Sequence, residues 1–460
     1  MIKSLTLNEL LTVVAGRSDA SQLSQDITRV STDTRTLGPG SLYVPLKGER
    51  FDGHAFAQQA KAAGAVAMLA EQPLTPELLA TSEFPVIYVD STLRALADLA
   101  AWHRDQFDGA VVAVTGSAGK TTVKNLMGSV LSQAFNTLIT QGNLNNHIGA
   151  PLTLLSLEPE HQAAMIELGA SGLGEIEYTA RLARPQVGIL TNVVPAHLEG
   201  FGSVDNIART KGEIIDCTDL NGTVILNVDD VYFPQWQARA GQRRITTFGF
   251  SEAADVRAIN IEETVAGCRF TCVSPDFTAD ISLALPGRHN VRNALAVIAA
   301  AQALNLTQSA IVTGLESARP VAGRLQACAG RRGETLLNDA YNANPESFKA
   351  AIDVLTLAAG RKVLVMGDMG ELGDTASAMH AEVGQYAANK HIDALYATGE
   401  LSRAAIDAFG EGAQWFENRQ ALIEFLLQHT LAGDTLLVKG SRSAGMDQVI
   451  HALEQEEEEN

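Results

Sequence analysis

The sequence predicts an α/β protein of three units: a small N-terminal α/β unit, a central P-loop-type, mostly parallel sheet flanked by helices, and a Rossmann-like C-terminal unit. Three observations carry this. At 460 residues the chain is too long for one ordinary core. Short continuous apolar runs recur along it, many ended by Gly, Asn or Asp and followed by helical patterns. The first segment runs to about residue 88, the texture changes from Gly109, and a third unit starts around Ala318, which gives domains at 1–88, 89–316 and 317–460.

The elements follow in order. MIKSLTLNELLTVVAG is apolar but broken by Asn8 and Glu9, so it reads as a short amphipathic helix and not as a signal sequence. SLYVPL and VIYV are strand-like runs of a small α/β unit. Asp90 or Ser91 caps a following helix. AVVAVTG is a buried strand ended by Gly, with a helix from Thr121. Further strands are expected at AMIELG, VGILTN and TVILNVDD, then an Ala-rich helix near Asn290. The third unit repeats the alternation in Rossmann-like fashion, with strands at TLLNDAY, KVLVMGDM, ALYATG and TLLVKGS and a helix at ESFKAAIDVLTLAA. No fixed-period repeat and no low-complexity linker interrupts it.

Composition narrows the class. With 46% hydrophobic and 19% charged residues the chain reads as an ordinary globular protein. Fifty-three acids against 34 bases leave a net charge of -19, which argues against a nucleic-acid face but leaves small anions open, because local donors can oppose the global field. The acidic tail Glu456–Glu459 reads as solvated. Cys268 and Cys272 lie close without zinc-site spacing, and all four cysteines, with Cys217 and Cys328, read as buried, reduced thiols. No run approaches the roughly eighteen apolar residues of a membrane span, and the expected compartment is the cytoplasm.

The chemistry begins at VVAVTGSAGKTTVK, Val111 to Lys124. Strand, Gly-rich turn and helix form the context of a phosphate loop, although only Ser117 and Ala118 separate Gly116 from Gly119-Lys120-Thr121, where the common loop has four residues. Backbone N–H groups from Gly116 to Thr122 would face an anion. Lys120 would add a point charge and Thr121 a hydroxyl for Mg²⁺. Glu167 and His197 lie just past predicted strand ends, the edge where α/β sheets bind ligands. A carboxylate and an imidazole there suit a divalent cation beside Thr121. Each taken alone could equally be a helix-cap acid or an ordinary loop residue. Asn290 and Asn293 share one helical face and could read a purine edge, or Asn290 could simply cap the helix.

Ten segments then stand in one order: TGSAGKTT, GNLNNHIGAPLTLL, IELGASGLGEI, NVVPAHLEGFGS, ARTKGEI, GRHNVRNALA, RPVAGRLQ, NDAYNANPESFKAAI, MGDMGELG and VKGSRSAGMD. Together with the N-terminal STDTR they resemble the Mur ligase superfamily over nearly the whole chain. NDAYNANP and GDMGELG resemble the branch that adds a dipeptide.

The resemblance implies a UDP-sugar-binding domain, a central ATPase domain and a C-terminal domain closing over ATP. It implies an ATP-dependent amide ligase, with Mg²⁺, acting on UDP-N-acetylmuramoyl-tripeptide and D-alanyl-D-alanine through an acyl phosphate, as a monomer independent of nucleic acid and membrane. Lys120 would touch the phosphates, Thr121 and Glu167 one Mg²⁺, and His197 a second. Lys211 matches a lysine that is carbamylated in related ligases, and would then serve the cation site. Asn290 and Asn293 would contact adenine, Arg324 the γ-phosphate and Asp339 the ribose. Without the resemblance, Arg324 and Asp339 would read as a surface ion pair. Ser31, Thr32, Asp33 and Arg35 would form part of the uridine diphosphate site, with an Asp33-capped turn as the competing reading. Asn145 and Asn146 would line the acyl-acceptor cleft. Alternatives are a Mur ligase for a single amino acid, a folylpolyglutamate synthase-like ligase, or a nucleotide-gated regulatory protein.

Overall fold

Strand Ala110–Thr115 shows why the central sheet forms where it does. Its side chains alternate between two cores: Val111 and Ala113 join one, Val112 and Val114 the other. A strand apolar on both faces needs helices on both sides. Lys120–Leu131 and Arg288–Ala303 cover one face. The other packs against Thr92–Arg104, Gly149–Leu155 and Glu175–Ala183, and its core runs on into the N-terminal unit. These relations come from a computed structural model, which describes residues 1–20, 22–48, 51–74, 84–195 and 198–455. His197 and the tail Glu456–Glu459 lie outside the described residues.

Three sheets organise the described chain. The first has four parallel strands in sequence order, Arg29–Ser31, Ser41–Tyr43, Ala65–Ala70 and Val86–Tyr88. The second has nine, running across the sheet as Thr278–Leu283, Gly267–Val273, Val256–Thr264, Arg244–Gly249, Thr223–Asn227, Val187–Leu190, Ala110–Thr115, Ala163–Glu167 and Thr137–Ile139. The third has six, in the order Gln326–Ala329, Thr335–Asp339, Thr435–Lys439, Lys362–Met366, Ala394–Thr398 and Ala413–Phe416, antiparallel only at the Gln326 edge.

Local chemistry sets the boundaries. Thr6 and Glu9 form a capping box on helix Leu7–Val13. Ser91, not Asp90, caps Thr92–Arg104. The helix after the phosphate loop starts at Lys120, one residue before the expected Thr121. Gly287 stands at the N-cap of Arg288–Ala303, so the reading of Asn290 as its cap is corrected. The cysteines also need correction. All four are free, but only Cys268 and Cys272 are buried, because they point inward from strand Gly267–Val273, while Cys217 and Cys328 are half-buried. Burial pushes the Cys272 thiol up to about 12.

Candidate functional site

The short loop is braced from the neighbouring strand end. Asn192 accepts the Ser117 N–H on its carbonyl at 2.9 Å and the Ala118 N–H on Oδ1 at 3.0 Å. Thr191 Oγ1 donates to the Ala118 carbonyl at 2.7 Å. Gly116 is required by contact, since a Cβ there would stand 2.0 Å from Thr191 Oγ1. Gly119 is required by conformation (φ +83°) and by contact, with Asn293 Oδ1 2.5 Å from where its Cβ would be. The strand-end residues Thr191 and Asn192 thus hold the two-residue loop from outside it.

Lys120 folds back over the loop and donates to the Gly116 and Ser117 carbonyls at 2.8 and 3.3 Å. Burial lowers its pKa; Arg324 adds to that and Glu167 opposes it. Register brings Glu167 into place: strand Ala163–Glu167 pairs with Ala110–Thr115 so that Glu167 lies opposite Val114, at the root of the loop. Glu167 is 2% exposed. Its Oε1 accepts from Thr121 Oγ1 at 3.2 Å and Asn145 Nδ2 at 2.8 Å. Its Oε2 is buried without a hydrogen bond, and Lys124 Nζ stands 3.7 Å from it.

The third unit reaches the same spot. Arg324 Nη2 donates to Thr121 Oγ1 at 2.9 Å, and its guanidinium lies over the Tyr341 ring at 4.4 Å. Asp339, at the end of its strand, accepts from Lys439 Nζ at 2.5 Å and from the Leu325 N–H at 3.1 Å. Lys439 is 2% exposed and also donates to the Asn342 carbonyl at 2.9 Å. Arg324 and Asp339 thus form no surface ion pair: Arg324 turns to the loop and Asp339 to Lys439. Burial raises the Asp339 pKa, opposed chiefly by Lys439.

The other predicted residues divide. Asn290 and Asn293 are buried beside the loop, Asn293 Nδ2 donating to Asn290 Oδ1 at 3.2 Å and Asn290 Nδ2 to the Pro286 carbonyl at 2.8 Å. Lys211, at the end of helix Val204–Lys211, is 2% exposed. It donates to the Ala170 carbonyl at 3.1 Å and lies 5.3 Å over the Phe201 ring. Burial, reinforced by Lys120, carries its pKa well below the ordinary lysine value. Asn146 spends its Oδ1 on the Ile148 and Gly149 N–H groups at the start of helix Gly149–Leu155. Loop, Glu167, Asn145, Asn146, Arg324 and Asp339 line one cleft of about 1400 Å³, as does Thr122.

Ser31, Asp33 and Arg35 do not line that cleft and form a self-contained turn in the first unit. Ser31 Oγ accepts the Asp33 N–H at 3.0 Å, Asp33 caps the short helix Thr34–Thr36, and Arg35 pairs with Asp33 at 2.6 Å. Thr32 lies within the same turn. Sequence reading missed Lys124, Asn192 and Lys439. Lys124 did carry a signal, lying four residues after Lys120 on the same helix.

Among the described residues no cluster of three His, Cys, Asp or Glu could hold a metal by itself. A cation at Thr121 and Glu167 would need phosphate oxygens to complete its shell. The free Glu167 Oε2 and the adjacent hydroxyl are hard oxygen donors of the type Mg²⁺ takes.

Comparison with known proteins agrees with this geometry. Residues 26–104 match the model "Mur ligase family, catalytic domain", 114–301 "Mur ligase middle domain", and 323–442 "Mur ligase, glutamate ligase domain". The UDP-N-acetylmuramoyl-tripeptide–D-alanyl-D-alanine ligase of Escherichia coli (strain K12) is 44% identical over 456 residues, 98% of this chain and 99% of that one. A crystal structure of MurF from Acinetobacter baumannii aligns with TM-score 0.92 at 36% identity, covering 98% of each chain. MurF ligase from Thermotoga maritima in complex with ADP aligns with TM-score 0.82 at 27% identity, covering 92% of this chain and 96% of that one. With its three domains matched in order and a curated relative this similar over almost its full length, the chain belongs to the Mur ligase family.

Proposed function

We propose that this chain is the ATP-dependent ligase that joins D-alanyl-D-alanine to UDP-N-acetylmuramoyl-tripeptide. This is a step of peptidoglycan synthesis on which cell shape and division depend. The observation that carries the reading is the bond from Arg324 to Thr121, which brings the third unit onto the phosphate loop of the second. The Escherichia coli relative carries this activity in its name.

A carboxylate is a poor electrophile at neutral pH. One of its oxygens attacks the γ-phosphorus of ATP and ADP departs; the amine then attacks the acyl carbon of the acyl phosphate, inorganic phosphate leaves, and the amine nitrogen loses a proton to give the amide. The protein's task is positioning and charge neutralisation. Lys120 would leave the Gly116 carbonyl to meet the phosphates, and Arg324 would meet the γ-phosphate from the other side. Asn290 and Asn293 would face adenine. Asp339, held by Lys439, would offer its carboxylate to the ribose. Thr121 and Glu167 would hold one Mg²⁺ and His197 a second, and these ions would neutralise charge developing on the phosphoryl oxygens.

Lys211 is suited to carbamylation because burial lowers its pKa and so favours the neutral amine, which would add to CO2 and release a proton. The added carboxylate would place a negative group near the cation site. The half-buried Ser31–Thr34 turn with its exposed Arg35 would take the uridine diphosphate, and Asn145 and Asn146 would border the acyl-acceptor cleft. No described helix is long and apolar enough to cross a membrane. The reading carries with it a cytoplasmic reaction on a UDP-linked substrate, with the chain acting as a monomer.

A substrate-swap assay of phosphate release tests the reading. Release with UDP-muramoyl tripeptide should require D-Ala-D-Ala. Release supported by L-Glu or a free diamino acid instead would assign a different ligase, and ATP binding without substrate-dependent turnover would favour a regulatory protein.

A further inference from the structure

Lys124 lies one helical turn beyond Lys120 and faces the strand end instead of the loop. Its side chain is 4% exposed, against 2% for that of Glu167, and the ion pair between them spans 3.7 Å. Lys124 also donates to the Gly142 carbonyl at 3.2 Å, in the loop that carries Asn145. It thus touches two of the structures that set the Glu167 carboxylate. Thr121 and Asn145 take Oε1, while among the described residues Oε2 has no hydrogen bond and only Lys124 within ion-pair distance.

A buried carboxylate without a counter-ion is strongly disfavoured, so Lys124 stabilises Glu167 in the free protein. The same ammonium repels any divalent cation that approaches Glu167, and at low effective dielectric that repulsion is large. Nucleotide phosphates bring negative charge of their own and reverse the balance.

We propose that Lys124 is a positioning residue that turns Glu167 Oε1 toward Thr121 and holds back cation binding until a nucleotide's phosphates arrive. The proposal rests on reading Thr121 and Glu167 as the cation site. It makes entry of the metal conditional on the nucleotide, and it separates two lysines four residues apart by role: Lys120 serves the phosphates and Lys124 the carboxylate.

The test uses the full chain and Mn²⁺ as probe, with free Mn²⁺ followed by electron paramagnetic resonance, with and without a non-hydrolysable ATP analogue. In the parent protein Mn²⁺ should bind weakly alone and tightly with the analogue. Lys124→Met should bind Mn²⁺ without nucleotide on the order of tenfold more tightly. Lys124→Arg should keep the weak binding. A role confined to folding would not tighten metal binding.

If Lys124→Met binds Mn²⁺ alone no better than the parent, the proposal fails while the cation site stands. If the parent binds no Mn²⁺ even with the analogue, the underlying reading of the site fails instead. Should Lys124→Met fold poorly, the thermal midpoints of the two single variants and of Lys124→Met/Glu167→Gln decide the matter. Partial recovery in the double variant supports the pairing, and strictly additive losses overturn it.

Discussion

Two acid–base pairs in this molecule have the same chemistry and opposite settings. Asp33 and Arg35 meet at 2.6 Å with side chains 37% and 86% exposed. Glu167 and Lys124 stand farther apart, at 3.7 Å, but are 2% and 4% exposed. The shorter pair is the weaker determinant of structure. Water screens it, and holding two mobile side chains together costs entropy. The longer pair has no water to fall back on, so each member depends on the other. Distance alone therefore ranks the two pairs wrongly, and burial ranks them correctly.

The largest effect should come from breaking the buried pair on the acidic side. Glu167→Ala strands the Lys124 ammonium and removes a proposed cation ligand. Stability should fall by about 3–5 kcal/mol, read as a drop in the urea midpoint. Substrate-dependent phosphate release should fall on the order of 10²- to 10³-fold. A variant as stable as the parent would break the contrast drawn above.

Lys211 sharpens the comparison, because it is as buried as Lys124 yet its hydrogen bond among the described residues goes to a carbonyl oxygen and not to a carboxylate. If Lys211 is carbamylated and serves the cation site, Lys211→Ala should lose activity on the order of a hundredfold. Formate or acetate, entering the vacated space, should restore part of it. Full activity in the variant would remove the carbamate.

The contrast also explains what could be read from the sequence. The strand, glycine turn and helix around Lys120 were legible because their signal is local: a strand, two glycines and a lysine within ten residues. The continuous apolar strands were legible because both faces are buried. The antiparallel strands from Val256 to Leu283 were passed over. Their outer positions carry Glu262, Glu263, Arg269 and Asp280, which dilute the apolar signal.

Lys124 and Asn192 were hidden for another reason. Glu167 meets Lys124 only because its strand lies beside Ala110–Thr115 in one register, and Asn192 braces the loop only because Leu190 pairs with Thr115. Strand order and register belong to the fold, and no short window of sequence holds them. Lys439 is a further case, since its partner Asp339 is 100 residues away.

Protons probe the same principle at a smaller scale. Burial holds His103 and His380 below the ordinary imidazole value, and lowers His289 to about 4. His380 Nε2 accepts the Met369 N–H at 2.9 Å while Nδ1 lies 2.7 Å from the Ala376 carbonyl, so the neutral Nδ1–H form is the one that fits. Below about pH 6.5 the unfolded chain binds protons that the folded chain refuses. The stability is fully present above that pH and is lost as pH falls toward the folded values. The thermal midpoint should decline from pH 7 to pH 5, and His380→Gln should decline less steeply. An unchanged slope would assign the acid sensitivity elsewhere.

The smallest effect is expected at Arg35. Its pairing holds the Asp33 carboxyl at about 2, so whatever it contributes to folding is lost only as pH falls below the ordinary aspartate value, and near neutrality it is screened. Arg35→Ala should leave the thermal midpoint at pH 7 unchanged within error. If the turn binds the uridine diphosphate, the same variant should raise KM for the UDP-linked substrate by about tenfold or less, and added salt should narrow the gap between variant and parent. The two readouts must separate for the contrast to hold. An exposed pair can exchange its internal partner for a phosphate at little cost to the fold, whereas Glu167 and Lys124 cannot be parted without disturbing both fold and site. A parallel loss of stability and affinity at Arg35 would mean that the turn, like the buried pair, is built into the architecture it decorates.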